Sequence, residues 1–70
     1  MAYSKETLAE NLRVLRARKN LTRKEMAGSL GFSPEIVGKW EGAQGGMTLD
    51  SACKVADFYE VSLDEMVGRK

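Results

Sequence analysis

The apolar positions of this chain fall into five short groups with helical spacing, and each group is announced by a hydroxyl residue. Ser4 precedes KETLAENLRVLRARKN, in which Leu8, Leu12 and Leu15 recur on one face until Asn20 ends the run. Thr22, followed three residues later by Glu25, is a capping box that opens TRKEMAGSL, and Gly31 closes it. Ser33 caps a third helix with Pro34 at its first position, where a missing N–H costs nothing. Thr48 opens LDSACKVADFY, predicted to turn Leu49, Ala52, Val55, Ala56 and Tyr59 inward, and Ser62 with Glu65 opens LDEMVGRK. Nothing alternates as a strand. The expectation is an all-α, five-helix domain over residues 1–70, with Gly42–Met47 as a flexible loop and no repeat.

The second and third helices, about residues 22–41, carry the physical marks of a helix-turn-helix. Ala27 is small where two axes must approach, Gly31 accepts a positive φ at the turn, and Met26, Leu30, Val37 and Trp40 form an inner face.

Composition narrows the chemistry. With 70 residues, one Cys and no His, the chain has neither an internal disulfide nor a zinc set, and Cys53 is expected to be a small core residue. No signal peptide and no membrane-spanning run are read, so a cytoplasmic location is expected. The net charge of +1 hides a polarity: residues 1–24 hold seven basic and two acidic groups, residues 25–70 four and eight. Such a molecule presents one basic flank to an anion. No acid, base or nucleophile assembles into a catalytic set, no cofactor or metal motif is present, and an enzyme is not expected.

The pieces LRVLRARKNLT, KEMAGSLGFS, KWE and VADFYEVSLDEM together resemble the lambdoid phage repressor and Cro family of helix-turn-helix domains, over about residues 8–67. The resemblance implies a lambda-repressor-like fold in which the third helix lies in the DNA major groove. It implies phosphate contacts by Arg23, Lys24 and Lys39, and base-facing positions at Ser33, Pro34, Glu35, Ile36, Gly38 and Lys39. It also implies a structural ion pair between Arg16 and Glu41, and a homodimer through the C-terminal helices near Phe58, Met66 and Val67, Phe58 being the foremost interface candidate and Met66 and Val67 equally able to complete the monomer core.

Several of these residues are unusual readers. Arg23 and Lys24 begin the second helix, where cations oppose the helix dipole by about 0.3–1 kcal/mol each unless an anion sits there. The family usually has Gln where Arg23 stands, and often a basic residue just after the glutamate, where Gly42 stands here. It commonly has Gly or Asn where Glu60 ends the fourth helix, so the resemblance implies a left-handed backbone at Glu60, at a cost of about 1 kcal/mol. Pro34 has no donor, Gly38 has no side chain, and Ile36 offers only apolar contact. Gly38 costs about 1 kcal/mol of helix stability relative to Ala, so either another backbone approaches it closely or the position has drifted. The expected function is a DNA-binding transcriptional regulator of phage or bacterial origin, repressor- or Cro-like, acting as a dimer on a double-stranded operator. The alternative is a modulator on the same fold, an antirepressor or antitoxin partner, that binds a protein through the Pro-Glu-Ile face.

Overall fold

The computed structural model describes residues 4–68. Its helices are α1 (Lys5–Arg18), α2 (Arg23–Leu30), α3 (Pro34–Glu41), α4 (Leu49–Tyr59) and α5 (Leu63–Val67), and no strand occurs among the described residues. Every helix starts at the cap expected of it. Ser4, Thr22, Ser33, Thr48 and Ser62 each accept, through the side-chain oxygen, the backbone N–H of the third residue beyond, at 3.0–3.2 Å. Glu25 and Glu65 return the bond to the N–H groups of Thr22 and Ser62, completing two capping boxes. Hydrogen bonding from Thr22, its backbone first and its side chain second, holds the Glu25 carboxyl below the usual carboxylate range.

The stops are as specific. Gly31 ends α2 at φ 78°, and the N–H groups of Gly31 and Phe32 both return to the Ala27 carbonyl. Glu60 ends α4 at φ 59°, ψ 43°, a conformation that costs a non-glycine residue about 1 kcal/mol. Its compensation is the Val61 N–H bond to the Ala56 carbonyl, which turns the chain into α5. The first helix stops earlier than expected, at Arg18, because Asn20 takes φ 56° and its N–H bonds back to Ala17. The last helix stops at Val67, and the expected extension to Lys70 lies partly outside the described residues.

The helices close around one core. Leu8 and Leu12 of α1, Met26 and Ala27 of α2, Val37 and Trp40 of α3, Val55 and Ala56 of α4, and Met66 of α5 are buried together. α3 packs on α1 and α2, while α5 packs on α1 and α4. Ala27 is fully buried, as the close approach of α2 to its neighbours requires. Asn11 reaches from α1 to donate to the carbonyls of Glu65 and Met66, satisfying the end of α5.

Two expectations for α4 fail. Leu49 is 73% exposed, and Cys53 is exposed rather than buried in the core. At about 100° per residue, the buried positions Ala52, Val55, Ala56 and Tyr59 centre on one direction, and Cys53 lies more than a right angle away from it. Leu49 sits at the edge of that stripe on the first helical turn, and helical side chains lean toward the N-terminus, so it projects beyond the core. Phe58 is half-buried, its ring edge against Tyr59 and the Lys19 ammonium 5.6 Å from its centroid.

Tyr59 carries the least satisfied group of the interior. It is 7% exposed, and its hydroxyl has no hydrogen-bond partner among the described residues. Burial pushes the phenol up from 10.0 to about 12, the Glu41 carboxylate adding to the rise and Arg16 opposing it. The folded state therefore holds this proton more tightly than the unfolded state. That contribution is complete below the ordinary phenol value and is lost as pH rises toward about 12, amounting to roughly 2–3 kcal/mol. In a Tyr3→Phe variant, tyrosinate absorbance should titrate well above the ordinary value, and Tyr59→Phe should remove the alkaline loss of stability. A midpoint at the ordinary phenol value would contradict this assignment.

Candidate nucleic-acid interface

The α2–α3 pair is held at a fixed angle by three devices that begin in the sequence. The positive φ of Gly31 sets the turn, and Phe32 then lays its ring edge-on against Trp40, with centroids 5.0 Å apart. Below them, Glu41 at the end of α3 has a side chain only 1% exposed. Arg16 Nε donates to Glu41 Oε2 at 2.7 Å and Arg16 Nη2 to Oε1 at 3.0 Å, a bidentate clamp from α1 to α3. The remaining Nη1 of Arg16 donates to the Leu21 carbonyl at 2.7 Å, so the same side chain anchors the entry to α2. The hydrogen bond to Glu41 is the main cause that raises the Arg16 pKa above its usual value.

Two further arginines converge on Glu41, one on its backbone carbonyl and one on its carboxylate, and the sequence reading did not foresee either contact. Arg13 donates through Nη1 to the Glu41 backbone carbonyl, placing a cation at the negative end of α3. Arg23, from the start of α2, donates through Nε to Glu41 Oε1 at 3.1 Å while its side chain stays 50% exposed. Signals for both were present. Arg13 lies one turn before Arg16 on the same face of α1. A cation at the first position of α2 needs an anion to offset the helix dipole, and Glu41 supplies one from within the fold.

The outward face of α3 is sparse. Ser33, Pro34, Glu35 and Lys39 are exposed, with the Ser33 hydroxyl engaged in capping through Ile36 N–H. Ile36 is half-buried and packs against the core, so little of it faces outward. Gly38 is half-buried too, and no backbone presses on it: a Cβ built there would find the Arg23 guanidinium, Nη1 at 3.7 Å. Lys24 is exposed beside Arg23 at the start of α2. The following loop is irregular but tied down at its start, since the N–H groups of Gly42, Ala43 and Gln44 all return to carbonyls of α3. Met66, at 1% exposure, belongs to the monomer core, and Val67 packs against it. Among the described residues no cluster of His, Cys, Asp and Glu could hold a metal ion, and no helix is long and apolar enough to cross a membrane.

Comparison with known proteins identifies this arrangement. A family model described as a helix-turn-helix domain matches residues 7–67. The chain is 35% identical over 65 residues to the cryptic phage CTXphi transcriptional repressor RstR of Vibrio cholerae, covering 93% of this chain and 54% of that protein. It is 34% identical over 58 residues to the HTH-type transcriptional activator BcrR of Enterococcus faecalis, covering 83% of this chain and 28% of that one. Among solved structures, the restriction-modification controller protein C.AhdI of Aeromonas hydrophila superposes with a TM-score of 0.81 at 26% identity, covering 89% of this chain and 94% of its own. The chain thus spans about half or less of the curated relatives it matches, and nearly all of the controller protein. It belongs to the helix-turn-helix domain family, of the repressor and Cro type.

Proposed function

We propose that the chain acts as a sequence-specific, DNA-binding transcriptional regulator in a bacterial cytoplasm, seating α3 in the major groove of a short operator and regulating by occupancy rather than by catalysis. One observation carries this reading: the start of α2 lies against α3, with Arg23 bonded to Glu41 and its guanidinium beside Gly38, while the inner faces of both helices are locked in the core. The exposed Lys24 and Lys39 serve as phosphate contacts, and the exposed Ser33, Pro34 and Glu35 as the direct base-facing positions of α3. Pairing of two copies through the C-terminal helices fits the exposed Val14 and the half-buried Phe58 and Val61; Val14 and Val61 flank a surface cavity of about 200 Å³.

Fluorescence anisotropy with genomic duplex fragments tests the proposal. Binding at low salt that falls steeply as salt is raised is the expected result. No binding at low salt, together with a tight complex with a repressor-like protein, would assign the α3 face to a protein partner instead.

A further inference from the structure

The sparse reading face of α3 and the tethered Arg23 explain each other. In helical projection Gly38 lies between the inward Glu41 and the outward Glu35 and Lys39, on the flank of α3 that faces α2. The Arg23 side chain crosses from α2 over this flank. Its Nε is fixed on Glu41 Oε1 at 3.1 Å, and its Nη1 lies 3.7 Å from where a Gly38 side chain would begin. The guanidinium thus occupies space that a larger residue at position 38 would claim. Three guanidiniums converge on Glu41 and its carbonyl, against a single carboxylate, so the positive charge there is not neutralised internally. Half of the Arg23 side chain remains exposed, and with Nε committed to Glu41 the donors left for a ligand are those of the Nη end.

We propose that Arg23, laid over Gly38 and held by Glu41, is a base-reading residue that substitutes for the side chain α3 lacks at position 38. Its ligand is a guanine edge in the major groove, whose O6 and N7 accept the paired N–H groups of an arginine. Glu41 is the positioning residue, since it restricts the guanidinium to one lane, and Gly38 keeps that lane open. The assignment rests on the DNA-binding reading above and sharpens it. A phosphate offers the same pair of acceptors, so the experiment separates the two sources.

The test begins with selection from a randomised duplex library using the wild-type chain, followed by the same selection with Arg23→Lys. Loss of guanine preference at one position of each half-site is expected, with affinity for the wild-type site falling roughly 5–150-fold and affinity for unselected duplex unchanged. Gly38→Ala should retain the preference, because its Cβ makes only an ordinary contact with Arg23. Gly38→Leu should lose it, with no further loss in the double variant Arg23→Lys/Gly38→Leu. Thermal melting of each variant confirms that it is folded. An equal loss on selected and unselected DNA, or a salt slope that Arg23→Ala reduces by about one per copy with no change in base preference, would make Arg23 a phosphate contact and overturn the assignment. Unchanged selection with Arg23→Lys would overturn it as well. A wild-type chain that selects no DNA would instead refute the parent reading.

Discussion

Replacing Glu41 by alanine should lower the unfolding free energy by about 3–5 kcal/mol, the largest single effect expected in this domain. The carboxylate accepts three side-chain hydrogen bonds, two from Arg16 and one from Arg23, and it is almost wholly removed from water. Its loss leaves Arg16, only 21% exposed, as a cation without its counter-charge, and it unties α1 from α3 at once. Arg23 loses less because half of its side chain is already solvated. For a domain of this size the melting temperature should drop by about 12 °C or more. Urea unfolding followed by Trp40 fluorescence measures the change, provided the slope with denaturant stays constant. Arg16→Ala should fall in the same direction, since it strands the carboxylate instead. A Glu41→Ala variant within about 0.5 kcal/mol of the parent, the range of ordinary surface substitutions, would remove the network from the account of stability.

The second large effect is on binding. A dimer that sets Lys24 and Lys39 of each copy on phosphates engages four backbone charges, which gives a slope of log affinity against log salt of about −3.6. Raising monovalent salt from about 50 to about 200 mM should then weaken binding roughly 150-fold. The neutral stretch Gly42–Met47 adds no cation, and Arg23 is held back by Glu41, so the slope should stay shallower than that of repressors with a full set of basic contacts. Lys24→Ala and Lys39→Ala should each reduce the slope by about one per copy, which anisotropy titrations at several salt concentrations resolve. A slope near zero would place the binding energy in base contacts or in a protein partner, and would contradict the phosphate assignment.

Helix starts were fully legible because capping is a local transaction between a side chain and an N–H three residues away. Ser4, Thr22, Ser33, Thr48 and Ser62 needed no tertiary information. The left-handed end at Gly31 was legible for the same reason, while that at Glu60 was legible only through the family resemblance, which commonly places Gly or Asn there. Burial was less so. Leu49 and Cys53 look like core residues in a residue-type count, yet Cys53 lies off the stripe that faces the interior and Leu49, at its edge, projects beyond the core. Which apolar residue is covered depends on where neighbouring helices end, and no local pattern states that.

The reading face divides in the same way. Arg23 and Gly38 both looked anomalous in isolation, a cation against a helix dipole and a glycine inside a helix. In the structure each is the other's neighbour, and the dipole penalty is offset by Glu41, 18 positions away along the chain. By itself, then, the sequence determined the five helices, their caps and the helix-turn-helix family, because hydrophobic period and capping act over a few residues. Only the tertiary structure decided that Arg13 and Arg23 join the expected pair of Arg16 with a buried Glu41 and that a guanidinium fills the space above Gly38, because electrostatic pairing and steric room are set by side chains that meet only when α1, α2 and α3 pack.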